Sequence, residues 1–140
     1  MSDLSMSIAP SRLPWSRTAL AGWALSGLVS AFLFGASALP KLTGMPVAAE
    51  TMAALGWPDA PLVRIGLLEA GLALLLLWPR MAPLAAVLAT GLLGGAMVTQ
   101  MRADSALFSH VLFSVYLGAA MWGGLLLRDS RLRALLPWRR

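Results

Sequence analysis

An all-α membrane protein is the fold class this 140-residue sequence predicts: a four-helix transmembrane bundle with a short surface helix between its first and second spans. Three observations lead there. Hydrophobic residues make up 59% of the chain against 12% charged, and the mean hydropathy of +0.76 suits lipid rather than water. The apolar residues gather into four runs, at 18–39, 62–78, 82–101 and 106–127, punctuated by prolines and charges. Nowhere do apolar and polar residues alternate with the period of two that a half-buried strand requires.

Residues 1–17 are polar, hold Pro10 and Pro14 and lack a helical apolar period, so an extended leader is expected there. Thr18 to Leu39 then runs 22 residues without a charge. At 1.5 Å per residue that is roughly 33 Å, enough to cross a hydrocarbon core about 30 Å thick. The connection from Pro40 to Pro61 is long and should contain structure of its own. Pro46 suits a first helical position and Gly56 a stop, so Val47, Thr51, Ala54 and Leu55 alternate with Glu50 on a short surface helix.

The second run, Leu62 to Trp78, has 17 residues, the lower limit for a span, and carries Arg64 and Glu69. Ala82 to Met101 and Ala106 to Leu127 supply the third and fourth, the last with His110 and Tyr116 as its polar members. Pro79-Arg80-Met81 and Arg102-Ala103-Asp104-Ser105 are short enough to make antiparallel hairpins of helices. Residues 128–140 are a basic tail.

This topology sorts the basic residues. Arg12, Arg17, Arg80, Arg128, Arg131, Arg133, Arg139 and Arg140 fall on one side, and Lys41, Arg64 and Arg102 on the other. The positive-inside rule then places both termini in the cytoplasm. The net charge of +5 therefore reads as topology and contact with anionic lipid, not as affinity for nucleic acid. Trp15, Trp23, Trp57, Trp78 and Trp138 sit near run ends, where interfacial anchors belong. Ala36-Ser37-Ala38 after an apolar run is also the grammar of a signal-peptide cleavage site, but the run is longer than a usual signal core. An uncleaved anchor is expected. Gly27, Ala31 and Gly35 at four-residue spacing, with Gly91 and Gly95 in the third run, supply small residues for close helix packing.

The absence of cysteine excludes disulfides, thiolate metal sites and dithiol relays, and a single histidine cannot make a bis-histidine haem or a metal cluster. No metal site is expected, and no nucleotide-binding or hydrolase motif occurs. Glu69 carries the most information. It lies seven residues inside the second span, where a bare carboxylate costs on the order of 2.5 to 3.5 kcal/mol, so it should face protein or trapped water. Leu62, Gly66, Ala73 and Leu76 share its face. Arg64 is five residues away and thus about 140° around the helix, free to snorkel to the interface. His110, Gln100 and Lys41 approach the same outer half from the other three helices, His110 being the partner that would form a proton-exchanging pair with Glu69. Two readings follow: a polar pocket of Lys41, Arg64, Glu69, Gln100 and His110 open to the non-cytoplasmic side, or a hydrogen-bonded clasp that fixes helix order. Neither supplies a nucleophile or an oxyanion site, and no catalytic residue is identified.

The strings Phe34-Gly35-Ala36-Ser37-Ala38-Leu39-Pro40-Lys41-Leu42-Thr43-Gly44, Leu55-Gly56-Trp57-Pro58 and Ile65-Gly66-Leu67-Leu68-Glu69-Ala70-Gly71 resemble the DoxX-like family of small bacterial membrane proteins. Leu76-Leu77-Trp78-Pro79-Arg80, Leu84-Ala85-Ala86 and Gly95-Ala96-Met97-Val98-Thr99-Gln100-Met101-Arg102 continue the likeness in order. The resemblance implies a four-helix bundle in the bacterial cytoplasmic (inner) membrane. By position, the family's Lys after the first helix matches Lys41, its intramembrane Glu matches Glu69, and its Gly-Ala pair matches Gly95 and Ala96. Many members carry a His shortly after that pair, where this chain has Gln100, leaving His110 on the neighbouring helix to compensate.

Some relatives are small subunits of thiosulfate:quinone oxidoreductases, and others belong to membrane redox or assembly tasks. Two roles are therefore expected. The first is a non-catalytic membrane subunit or assembly factor, not an enzyme on its own, with the lipid bilayer and a partner protein or a second copy of the chain as its partners. The second is the membrane subunit of a quinone-linked oxidoreductase. Its pocket, with Trp and Met walls, would hold a quinone-like head group while a partner carries the electrons. No other cofactor is evident.

Overall fold

The computed structural model describes residues 16–135. Residues 1–15 of the expected leader and residues 136–140, which include Arg12, Trp15, Trp138, Arg139 and Arg140, lie outside the described residues, and with them part of the expected charge sorting. The last two leader residues, Ser16 and Arg17, cap and open the first helix. Among the described residues every regular element is helical.

The first helix, α1, spans Arg17–Leu42. Ser16 caps it, its hydroxyl accepting from the Ala19 N–H at 3.1 Å, which satisfies one of the donors the first turn leaves open. The helix was expected to end at Leu39, before Pro40, but it continues three residues further. The reason lies one turn earlier, where Phe32–Ala38 widens into a π-helix and the Leu39 N–H bonds to the Phe34 carbonyl. Pro40 brings no N–H and would crowd the carbonyl of a regular turn, and the wider turn accommodates it. Lys41 therefore belongs to the last helical turn instead of following the helix.

Gly44, at φ 71°, turns the chain into α2, Pro46–Ala54, with proline in the first turn as expected. Gly56, at φ 77°, turns it out again, a conformation open to glycine at little cost. On α2 Ala48 is buried and Met52 half-buried, whereas of the positions read from sequence Val47, Thr51 and Ala54 are exposed and Leu55, just past the helix, is half-buried. Next come α3, Leu62–Leu77, and α4, Ala82–Arg102. The helix α5, Leu107–Arg128, opens with a π turn over Leu107–Val111. A short α6, Ser130–Leu135, occupies the basic tail, where no helix was expected, its Arg131 N–H bonded to the Asp129 carboxylate at 2.8 Å.

Three of these helices, α1, α4 and α5, are long and apolar enough to cross a membrane. The expected fourth, α3, has 16 residues, one less than read from sequence because Trp78 turns extended at its end. It reaches roughly 24 Å. α1 packs against α5 and α3, α3 against α4, and α4 against α5, so each of the four is flanked by two others. Val29, Leu33, Leu72, Leu76, Ala85, Ala89, Met121 and Leu125 fill the space between them. Leu28, Leu67, Leu74 and Val98 point outward, 60–69% exposed, a surface that needs lipid and not water as its solvent.

The closest approach between helices is not where the glycine stripe suggested. A methyl group on Gly22 would stand 2.7 Å from the Gly124 carbonyl oxygen, and one on Gly124 would stand 2.8 Å from the Ser26 hydroxyl. α1 and α5 thus touch backbone to backbone through Gly22, Ser26 and Gly124, the close contact that small residues allow. Gly27, Gly35, Gly91 and Gly95 have nothing within 4 Å of the corresponding position, and Ala31 is exposed. The four-residue spacing is right and the face is wrong, because adjacent residues of a helix point about 100° apart.

Candidate functional site

Glu69 sits on the α3 face that also buries Gly66, Leu72, Ala73 and Leu76, so the helix period alone turns it inward. Gly66 lets α1 come close at this level, since a methyl group there would stand 3.1 Å from the Ala38 carbonyl oxygen. Directly beyond, the Lys41 ammonium donates to both Glu69 carboxylate oxygens, Oε1 at 3.1 Å and Oε2 at 2.9 Å. It also donates to the Ser37 carbonyl and hydroxyl oxygens, each at 2.9 Å. Both charged residues are buried, at 9% and 7% exposure. A carboxylate and an ammonium out of water are tolerable together because each neutralises the other and further hydrogen bonds satisfy what remains.

The pair forms part of the wall of a cavity of about 450 Å³ among all four long helices and α2. Phe32, Leu33, Leu92, Phe113 and Leu117 make it largely apolar, the rings of Phe32 and Phe113 packing at a centroid distance of 5.2 Å. Thr51, Met52, Leu55 and Trp57 close it from the α2 side. Arg102 at the end of α4 reaches across to the carbonyls of Leu55 and Gly56, at 3.3 and 3.5 Å, and ties the end of α2 to the long helices.

Of the five polar residues singled out in the sequence, Lys41, Glu69, Gln100 and His110 line this cavity and Arg64 does not. Arg64 is exposed on the opposite side of α3, as its angular offset requires. His110 is on the exposed part of the wall, in the π turn that opens α5, where its Nδ1 pairs with the Ser109 hydroxyl at 2.8 Å. It makes no hydrogen bond to Glu69, whose carboxylate is taken by Lys41. The Gln100 side-chain oxygen is buried and has no hydrogen-bond partner among the described residues.

Ser37, Ser114, Met52 and Trp57 also line the cavity and were not expected as pocket residues, Trp57 having been read as an interfacial anchor. Ser37 had a signal: it precedes Lys41 by four residues, one helical turn, once the helix is carried through Pro40. Gly95 and Ala96 line the cavity as well, so the Gly-Ala pair on α4 shapes its wall and not a helix contact.

Long apolar helices with an outward leucine surface and a buried ion pair define a helical membrane protein. More particularly, the chain matches the DoxX-like family over residues 17–124 and belongs to that family. No curated protein and no solved structure matches it.

Proposed function

We propose that this is a multi-pass protein of the bacterial cytoplasmic membrane, with α1, α3, α4 and α5 as spans and both termini cytoplasmic. In this reading it serves as a non-catalytic membrane subunit or assembly factor, and its outward-facing cavity receives the polar end of a lipid-soluble molecule. The short α3 fits as a span because Arg64 can snorkel and the bilayer can thin locally around it.

The observation that carries this reading is the cavity, whose volume of about 450 Å³ falls in the range of about 300–1,000 Å³ typical of small-molecule sites. Its chemistry narrows the occupant. Lys41 spends its donors on Ser37 and Glu69, so the ion pair adds polarity without net charge. Glu69 retains lone pairs and the Gln100 oxygen has no partner, so what the wall offers is acceptors. A neutral head group that donates hydrogen bonds, such as a hydroxyl on an apolar body, suits it.

Gly95 supplies the test. It lines the cavity, and a Cβ there meets nothing within 4 Å, so Gly95→Leu starts from open space, puts bulk into the cavity and replaces a poor helix former with a good one. Protein purified from native membranes and extracted with organic solvent should yield a stoichiometric hydroxyl-bearing apolar compound, absent from the Gly95→Leu protein. An extract without such a compound, or equal amounts from both proteins, would overturn the reading. A second reading, the membrane subunit of a quinone-linked oxidoreductase, is favoured by Trp57, Met52 and the Phe32–Phe113 pair in the same wall. It requires that the extracted compound change its ultraviolet spectrum reversibly on chemical reduction and oxidation.

A further inference from the structure

At the end of the helices opposite the cavity, we infer a second and separate binding site, for a phosphate-bearing anion. The C-terminal ends of α3 and α5 and the start of α4 meet there around a cavity of about 280 Å³. Three arginines, Arg80, Arg128 and Arg131, line it, with Trp23 and Pro79. Among the described residues the ion pair of Lys41 and Glu69 is the only one within 4 Å, so none of the three arginines makes a direct ion pair there, although the Asp129 carboxylate lies near enough to Arg128 to favour its charge. Asp129 is the one acidic residue in the wall, and one of its oxygens already accepts the Arg131 backbone N–H at 2.8 Å. Three positive charges therefore face one negative charge across a small space.

Arg128 gives the site a fixed centre. One guanidinium nitrogen donates to the Leu76 carbonyl at the end of α3, and the group lies over the Trp23 ring at 4.2 Å. Its other terminal nitrogen is buried and has no partner among the described residues. A planar fork held in place by a neighbouring helix and a ring does not have to be ordered when an anion arrives, which lowers the cost of binding. Guanidinium groups suit phosphate in particular, because two parallel N–H donors match two phosphate oxygens. The cavity falls just below the size range of sites for drug-sized molecules, which suits a head group or a small anion. Basic pockets between helices at the charged membrane surface take anionic lipid head groups, and a soluble phosphate offers the same chemistry.

Arg80 and Arg131 are the residues to test, because Arg128 also ties α5 to α3 and its loss would confound binding with folding. Arg133 is the control: R133Q removes one charge from the same short helix, as the R131Q half of the double variant does, but Arg133 does not line the cavity. Native mass spectrometry of the full chain should retain phosphatidylglycerol over phosphatidylcholine with the same acyl chains. The R80Q/R131Q protein should bind phosphatidylglycerol about tenfold or more weakly, while R133Q stays within about twofold of the parent. Inorganic phosphate is the second probe, read as a rise in the unfolding temperature of lipid-free protein. A rise in the parent and not in R80Q/R131Q assigns the site to a soluble anion, and lipid selectivity without that rise assigns it to a head group. Equal retention of the two lipids with no response to phosphate overturns the inference. So does a loss in R133Q at least half as large, on a logarithmic scale, as that in R80Q/R131Q, since R133Q removes one charge and the double variant two, which would mean a diffuse surface field in place of a site.

Discussion

Lys41 and Glu69, 28 positions apart and on different helices, share two hydrogen bonds of 2.9 and 3.1 Å in the wall of the cavity. Each is buried only because the other is there. Removing one partner strands a charge, which costs about 3–5 kcal/mol for a buried pair, whereas replacing both with apolar residues of similar size is close to neutral. Glu69→Leu and Lys41→Met should each lower the unfolding temperature in detergent, and the double variant should recover most of the loss. Glu69→Gln should fall between the parent and Glu69→Leu, since an amide oxygen still accepts from the ammonium. If Glu69→Leu alone unfolds like the parent, the pair is not what holds α1 to α3.

Gly22 and Gly27 are both glycines of α1 and should behave in opposite ways. Gly22→Ala places a methyl group against the backbone of Gly124 and Arg128 and should destabilise the protein by about 1–3 kcal/mol, as overpacking does. Gly27→Ala meets nothing and should be neutral or gain up to about 1 kcal/mol from helix propensity. Thermal unfolding of the two variants decides between this contact and the stripe of Gly27, Ala31 and Gly35.

Reporter fusions test the topology. Fusions at Met1 and Arg140 should both report the cytoplasm, and one placed at Asp59, between α2 and α3, should report the opposite side. A periplasmic signal from either end contradicts the proposed orientation. A mature mass lacking residues 1–38 would show that Ala38 is cut after all.

Arg102→Ala should loosen α2 without unfolding the long helices. Its two long bonds to the carbonyls of Leu55 and Gly56 are worth about 0.5–1.5 kcal/mol at most in an exposed place. Amide exchange over residues 46–57 should accelerate several-fold while exchange in α4 and α5 stays unchanged. Unchanged exchange over residues 46–57 would mean that α2 is held by its packing against α1 alone, and uniform acceleration would mean that Arg102 supports the whole bundle.

The apolar runs were legible because a hydrocarbon environment demands long uninterrupted stretches, and three of the four became helices of membrane-crossing length. The inward face of Glu69 follows from the helix period, and the same 100° per residue explains why Arg64, counted in the expected pocket, is exposed on the other side of α3. Helix phase relative to neighbours was not legible. Gly22 and Gly27 carry equal small-residue signals, and only the docking of α5 selects the former. The partner of Glu69 was ambiguous for a related reason. Lys41 stands beyond a proline that ends most helices, so His110, Gln100 and Lys41 all stay open as partners, and the widened turn at Phe32–Ala38 that carries α1 past Pro40 has no composition of its own.

That widened turn separates two tasks within one helix. A regular helix is a single screw, so the face chosen at Gly22 and Ser26 would dictate the face four turns later. The wider Phe32–Ala38 turn resets the phase, so the C-terminal end can aim Ser37 and Lys41 at Glu69 while the N-terminal end keeps its inner contact with Gly124. Deleting a single residue from that turn would swing everything beyond it by about 100° and carry Lys41 away from its carboxylate, with the inner contact untouched. The helix behaves as two shafts joined by a coupling, and each end can change its partners without renegotiating the other.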